Sequence, residues 1–254
     1  VGEVKLPRWA PLHIGSVTID MSPTKHVVML LIAALLCLGI MIPAALSNER
    51  QTAHKGHAKG FAGAVESLVL FIRNEVVLPN VGHHGDAFVP FAMTLFFFIL
   101  FANLLGLIPY GSTATGNISV TATLAILSFF VIEIAGMKAL GRGYWKTIIY
   151  WPSDQSLAIK LPMTFIMTPI EIIGKFTKPF ALAIRLFANM TAGPVVLQEL
   201  ISLIFTFGSY YVAAAPIAMG VAISMLELFV ALLQAYIFTL LSSVFIGLIR
   251  ESAH

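Results

Sequence analysis

Long runs of uncharged, apolar residues alternate along the chain with short polar segments. Three of these runs, at 27–46, 88–110 and 118–137, have the length of a membrane-crossing helix, which needs about 20 apolar residues. They predict three spans. Residues 1–25 are of mixed polarity and contain three prolines, which predicts an irregular segment outside the hydrocarbon.

The segments between these spans differ in character. Residues 47–60 predict a polar loop, and 111–117 predict an uncharged turn. Residues 61–79 mix apolar side chains with three charges, a pattern typical of an amphipathic helix at the membrane surface. Residues 138–151 are basic and aromatic, which predicts an interfacial loop.

Two long apolar segments, 157–207 and 216–249, follow and predict long helices. About 50 residues of helix measure more than twice the hydrocarbon thickness of about 30 Å. The first segment must therefore break, leave the membrane or lie strongly tilted. Prolines within it provide places for kinks: Pro162, Pro169, Pro179 and Pro194.

The predicted fold is an all-α integral membrane protein with about five membrane-crossing helices and one surface helix. We expect a single membrane domain over 1–254, divided into an irregular segment (1–25), spans and loops (26–156) and a long helical hairpin (157–250). Lysine and arginine concentrate in two loops, 47–87 and 138–156. With five crossings, both loops lie on the same side of the membrane. The positive-inside rule predicts that this side is the cytoplasm or matrix, with the N-terminus opposite.

Composition supports a membrane protein. The chain is 58% hydrophobic and 11% charged, whereas soluble domains have about 25% charged residues. The net charge is +3, and the basic residues lie between the apolar spans. This placement indicates a role in membrane topology and not in nucleic-acid binding. Cys37 has no cysteine partner, and no glycine loop for a nucleotide is present, so no disulfide and no cofactor are expected.

The last hundred residues carry charged groups within apolar sequence, at a cost of roughly 2.5–3.5 kcal/mol each at bilayer depth. They are Lys160, Glu171, Lys175, Lys178, Arg185, Glu199 and Glu227, with the polar Asn189 and Gln234 among them. Such a set predicts a hydrated, protein-lined path or a partner that covers it. The three lysines are expected to extend their ammonium groups to the membrane interface. Arg185, in contrast, has apolar neighbours on both sides, so the same explanation does not suit it.

Spacing relates these groups to one another. Arg185 and Asn189 are four residues apart and share a helix face, and Glu227 and Gln234 are seven apart and do the same. A turn near residue 210 would bring Gln234 roughly opposite Arg185, with Glu199 and Glu227 toward the turn. Arginine is effectively never deprotonated, so it suits a barrier, whereas a carboxyl group can take up and release protons and suits a conduit.

Four segments carry a resemblance to a known family. RLFANMTAG (185–193) and LLQAYIFTLLSSVFI (232–246) resemble signature segments of subunit a of the F-type ATP synthase. PFAMTLFFFILFANLLGLIP (90–109) and GNISVTATLAI (116–126) resemble two further segments of that family, so the likeness covers about 85–250.

The resemblance implies a stator beside a ring of c subunits, with two offset half-channels, b-type peripheral-stalk subunits and the remaining synthase subunits as partners. It also implies that the last two helices form a long, tilted hairpin. Arg185 matches the arginine that faces the ring carboxylate, and Asn189 and Gln234 match polar residues beside it. Glu171 matches a carboxylate of the cytoplasmic-side half-channel, and Glu227 matches a group in the opposite access path.

One position departs from the family pattern. Nine residues after the arginine the family often has glutamate or histidine, and here Pro194 cannot titrate. We hypothesise that Glu199 takes over this role together with Glu227. Glu133, at the basic end of the third span, is expected at the interface.

The resemblance implies that the chain alone catalyses nothing. A bacterial plasma membrane is favoured, with the mitochondrial inner membrane as the alternative. An ion-coupled secondary transporter or a channel stays open as an alternative function, although no internal repeat is visible. A haem or quinone enzyme would require paired histidines within spans, and the seven histidines lie in termini, loops or span ends.

Overall fold

The computed structural model describes residues 12–14, 17–19, 24–53, 60–82, 85–108, 114–148, 157–207 and 210–251. Two three-residue strands are followed by helices, with short turns between some of them. The strands are β1 (Leu12–Ile14) and β2 (Val17–Ile19). The α-helices are α1 (Lys25–Ala53), α2 (Phe61–Phe71), α3 (Leu78–Val81), α4 (Val89–Gly106), α5 (Ile118–Leu140), α6 (Leu157–Phe207) and α7 (Tyr210–Glu251).

Five of these helical segments are long and apolar enough to cross a membrane. They are Lys25–Pro43, Gly85–Gly106, Ile118–Leu140, Leu161–Phe207 and Ala213–Arg250. The predicted number of spans and the all-α membrane class are therefore confirmed. The sidedness deduced from lysine and arginine stays a prediction.

The N-terminal part departs from the prediction twice. Residues 12–19 were expected to be irregular, but β1 and β2 pair antiparallel, with Leu12 opposite Ile19 and Ile14 opposite Val17. The loop predicted from residue 47 is also wrong at its start, because α1 continues to Ala53. Residues 47–52 are polar, yet they contain no glycine or proline, so the helix continues past the apolar sequence to Ala53.

The predicted surface helix over 61–79 is not one regular α-helix. Between α2 and α3 the chain forms a π-helical turn, Ile72–Val77, with Ile72, Val76 and Val77 buried. The α3 backbone packs against Gly247 of α7 so closely that a β-carbon there would overlap the Asn80 carbonyl. The segment thus belongs to the packed bundle, and its π turn buries the adjacent Val76 and Val77 together with Ile72.

The last two helices are continuous along their whole described length. At 1.5 Å per residue, the 51 residues of α6 span about 77 Å and the 42 residues of α7 about 63 Å. All four prolines of α6 lie inside the helix, so the alternative in which this segment breaks is wrong. Either helix is more than twice as long as the hydrocarbon is thick, which requires a steep tilt or an extension beyond it.

The core forms where α4, α5, α6 and α7 meet. Its largest fully buried apolar side chains include Phe96, Ile99, Leu186 and Phe238. The ends of α5 are fixed locally: the Asn117 side chain caps its start by accepting from the Ser119 amide at 2.9 Å. Gly141, with φ of 53°, ends it, and a 3₁₀ segment, Gly141–Thr147, follows where a loop was predicted. These local contacts define where α5 begins and ends.

Candidate functional site

Arg185 lies on an exposed face of α6 midway along the helix. Its exposed neighbours Phe180 and Ile184 are apolar, at 66% and 40% exposure. Within the described part of the chain, the guanidinium has no ion-pair or hydrogen-bond partner. A permanent charge on an apolar face demands either water or a partner molecule that supplies a counter-charge.

Asn189 and Gln234 join the two long helices one turn away from Arg185. The Asn189 Nδ2 donates to the Gln234 Oε1 at 2.8 Å, and Gln234 is buried. Gln234 had been predicted roughly opposite Arg185, and the structure sets it opposite Asn189. The helix face shared by Arg185 and Asn189 is therefore tied to α7 by an amide pair in which Gln234 is buried and Asn189 is exposed.

The Glu227 carboxyl group lies against Gly193 across the hairpin. A β-carbon at residue 193 would overlap the Glu227 side chain, so only glycine leaves this space. The Glu227 Oε1 is buried and has no hydrogen-bond partner among the described residues. Glu227 also lines a small cavity of about 10 Å³ together with Asn103, Asn189 and Pro194. We call Asn103, Asn189, Glu227 and Gln234 the hairpin polar cluster.

Asn103 is a member of this cluster that the sequence reasoning missed. It is fully buried, donates from Nδ2 to the Ala231 carbonyl at 3.2 Å, and accepts at Oδ1 from the Thr115 hydroxyl at 2.8 Å. It therefore connects α4, the turn before α5, and α7. The sequence contained a signal for Asn103, because a polar amide within an apolar span costs free energy. The same reason drew attention to Asn189.

Glu199 is not brought to the same place. Leu197 packs against Gly220, so Glu199 lies nearly level with residues just before Gly220 on α7. That is about 12 Å along the helix axis from Glu227. Glu199 is exposed, whereas Glu227 is half-buried. The two carboxylates expected to act together across the hairpin are thus at different depths.

A cavity of about 570 Å³ lies at the basic end of α5, α6 and α7. We call it the basic-side cavity. Glu171, Lys175, Lys178 and Leu182 contribute its α6 wall. Glu171, Lys178 and Arg185 are spaced by seven residues, so they form one stripe along α6, with Glu171 about 21 Å from Arg185 along the axis.

Lys175 and Glu133 form an ion pair in the wall of this cavity. The Lys175 Nζ lies 3.2 Å from the Glu133 Oε2, and the side chains are 12% and 11% exposed. Lys175 was predicted to snorkel, but its ammonium group is instead enclosed with Glu133, because α5 and α6 pack together around both. The interfacial depth of Glu133 stays a prediction. Lys178 lies over the Phe245 ring at 5.0 Å, and the side chain of Lys160 lies outside the described residues.

The two polar regions lie on opposite sides of the Arg185 level. Along α6 the basic-side cavity reaches Leu182 and the small cavity begins at Asn189, and their linings have no residue in common. Between them α6 buries Ala183 and Leu186, while α7 buries Phe238. A layer of packed apolar side chains thus separates the two regions inside the chain.

Much of the outer surface of α6 and α7 is apolar. Large exposed side chains on the two helices include Phe165, Phe176, Phe180, Val195, Ile201, Met225, Leu226 and Phe229. An apolar surface of this extent, with Arg185 within it, is what a lipid or protein partner in a membrane covers.

Comparison with known proteins gives a consistent result. The family model described as ATP synthase A chain matches residues 27–247. The chain is 48% identical over 249 residues to ATP synthase subunit a 2 of Chlorobaculum tepidum, covering 97% of this chain and 67% of that protein. It is 47% identical to ATP synthase subunit a of Chloroherpeton thalassium, covering 97% and 71%, and 46% identical to that of an Anaeromyxobacter species, covering 93% and 56%.

Proposed function

The chain belongs to the ATP synthase subunit a family, and from this premise we propose that it couples proton flow to rotation of a c-subunit ring. Protons reach and leave the ring through two half-channels, and Arg185 keeps these apart. The observation that carries the proposal is an arginine on an apolar helix face, without an ion-pair or hydrogen-bond partner among the described residues. It lies between two polar regions that packed side chains separate.

The access path runs through the hairpin polar cluster. A proton arrives from the side opposite the basic loops, passes the exposed Glu199 at the outer end, and reaches Glu227. Glu227 then transfers the proton to a carboxyl group of the ring. A carboxyl group without a hydrogen-bond partner suits this task, since no existing bond has to break before it takes a proton. Asn189 and Gln234 hold the helices in register at the point of transfer.

The release path is the basic-side cavity. After the neutral ring carboxyl has travelled through the lipid, it meets the cavity side of Arg185 and loses its proton toward Glu171. The volume of about 570 Å³ supports this assignment, because it accommodates several water molecules. Arg185 favours the ionised form of the ring carboxyl as it passes, and its fixed charge opposes direct passage of a proton between the two paths.

The partners follow from this role. The exposed apolar surface of α6 and α7 is assigned to the c-subunit ring and lipid, and b-type stalk subunits hold the chain against rotation. The subunit alone carries out no chemistry. The positive-inside pattern and the bacterial relatives support a bacterial plasma membrane with the basic loops in the cytoplasm. Each proton crossing it contributes about 2.3 kcal/mol per 100 mV.

Arg185→Ala tests the proposal in the complete complex reconstituted into vesicles. An imposed proton gradient is expected to drive ATP synthesis by the wild type and none by the variant. Arg73→Ala is a matched control, because Arg73 is a cation in a surface ion pair with Asp86, far from both polar regions in sequence and 41% exposed. Normal synthesis by Arg185→Ala, or ion flux through the chain without c subunits, would contradict the proposal; the second result would favour a transporter or a channel.

A further inference from the structure

The Lys175 ammonium group makes three contacts in the wall of the basic-side cavity. It donates to the Glu133 Oε2 at 3.2 Å, to the Tyr144 hydroxyl at 3.2 Å and to the Thr147 hydroxyl at 3.4 Å. An ammonium group has three protons, so its donor capacity is fully used. It also lies 4.6 Å from the centre of the Tyr144 ring. These contacts join α6 to α5 and to the 3₁₀ segment that follows it.

A buried ion pair of this kind is not explained by stability alone. Desolvating two charges costs several kcal/mol per ion, and replacing such a pair by apolar residues of similar volume is often neutral or stabilising. Removing one partner, in contrast, leaves an uncompensated charge. The pair therefore matters most for the electrostatic potential of the space that it borders.

That space contains the carboxylate assigned to proton release. Among the described side chains that line the cavity, the titratable groups are Glu133 on α5 and Glu171, Lys175 and Lys178 on α6. The lining residues of α7 are apolar: Phe245, Leu248 and Ile249. Glu171 lies one helical turn before Lys175, so the uncompensated ammonium would be its nearest charge on that helix.

We infer that Glu133 is a positioning residue of the cytoplasmic half-channel: it fixes and neutralises Lys175, so that Glu171 exchanges protons at a potential that Lys175 does not raise. The inference rests on the proposed function. It assigns to α5 a part in proton transfer that the charged residues of the last two helices do not reveal.

The test uses inverted membrane vesicles with the complete complex, in which the basic side faces the medium. ATP-driven proton pumping is measured over a range of external pH and divided by the ATP hydrolysis rate at the same pH with an uncoupler present. Glu133→Gln retains an acceptor for Lys175 but removes the compensating charge. Extra positive potential makes Glu171 harder to protonate, so the half-maximal rate moves to lower pH. A unit charge about 6 Å away in water gives a shift of about half a pH unit.

Two further variants separate electrostatics from packing. Glu133→Gln combined with Lys175→Gln leaves no uncompensated charge, so the pH profile returns toward that of the wild type. Asp86→Asn is the matched control, because it breaks an exposed ion pair, Arg73 to Asp86 at 2.7 Å, that does not line the cavity. No shift is expected there. If Glu133→Gln does not assemble, Glu133→Asp weakens the same contact and is expected to shift the profile less, in the same direction.

The outcomes are distinct. A shift in Glu133→Gln that the double variant reverses supports the inference. An unchanged profile, or a lower yield of complex with the profile unchanged, overturns it, because either result reduces Glu133 to a packing role. Arg185→Ala is measured in the same vesicles. If Arg185→Ala still pumps protons, the proposed function fails, whatever the result for Glu133→Gln. If Arg185→Ala does not pump, and Glu133→Gln has the same pH profile of pumping as Asp86→Asn, the inference alone fails.

Discussion

The two polar regions beside Arg185 are built in opposite ways. The basic-side cavity measures about 570 Å³, and its buried charges neutralise each other. The small cavity at the hairpin polar cluster measures about 10 Å³. Its lining combines two amides and the apolar Leu107, Met190 and Pro194 with a carboxyl group that has no described hydrogen-bond partner at one oxygen. The first holds several water molecules, whereas the second has room for about one at most.

This difference separates two ways of moving a proton. In the cavity, water transports it and the protein only has to control the potential. In the hairpin polar cluster there is too little space for a water chain, so side-chain positions decide whether the proton moves. We therefore expect the cluster to be sensitive to the size and position of single groups, and the cavity to be sensitive mainly to charge.

Glu227→Gln is expected to have the largest effect. The amide has nearly the same shape but cannot take up and release a proton, so proton-driven ATP synthesis in reconstituted vesicles should be lost. A reduction of only a few-fold would mean that another group carries the proton on this side. Glu66→Gln, a half-buried glutamate of α2 outside both polar regions, is the control and should retain normal synthesis.

Gly193→Ala tests whether position matters as much as chemistry. The added methyl group occupies the space of the Glu227 carboxyl and must displace it. We expect synthesis to fall by up to about a hundredfold, the size of effect that a misplacement of about 1 Å can produce at a reacting group. Gly174→Ala on the same helix is the matched control, because nothing lies within 4 Å of the position of its β-carbon. Equal rates for the two alanine variants would contradict the geometry.

Asn103→Leu should have an intermediate effect, on stability before activity. It leaves the buried Thr115 hydroxyl without its partner, at a cost of about 1–3 kcal/mol, and removes the bond from Asn103 to the Ala231 carbonyl. The purified complex should therefore show a lower unfolding temperature for this subunit. Thr94→Val is the control, since that hydroxyl is exposed and bonds only within its own helix.

Glu199→Gln is expected to have the smallest effect. Glu199 is exposed and about 12 Å from Glu227 along the helix axis, so it can raise the local proton supply but cannot deliver protons directly. Synthesis should fall by a few-fold, most clearly at high external pH on the access side, where protons are scarce. Complete loss would place Glu199 in the transfer chain itself and would require the hairpin to rearrange.

The sequence predicted the spans well because their signal is local. An apolar run of about 20 residues and its flanking charges are sufficient, and the described residues contain five helices long and apolar enough to cross a membrane. The predicted ends were less accurate. Polarity marks where water begins, whereas a helix ends where backbone geometry requires it, as at Gly141 with its positive φ. The same distinction explains why α1 continues to Ala53.

The hairpin could be predicted in part. Spacing alone put Arg185 and Asn189 on one face, and the fold-back brought Gln234 close to them. The register of α6 against α7 could not be predicted to better than one helical turn. It depends on small residues such as Gly193 that allow the helices to approach each other. Hence Glu227, and not Glu199, belongs to the hairpin polar cluster.

What the sequence alone determined is the class of the protein, its five spans and the conflict between a fixed positive charge and an apolar helix, since each depends only on residue type and order. Only the tertiary structure decided which groups meet. Lys175 and Glu133 are 42 residues apart and read separately as interfacial charges, but packing of α5 on α6 encloses both and makes them one neutral pair. Burial and partners are properties of packed helices, and no single segment contains them.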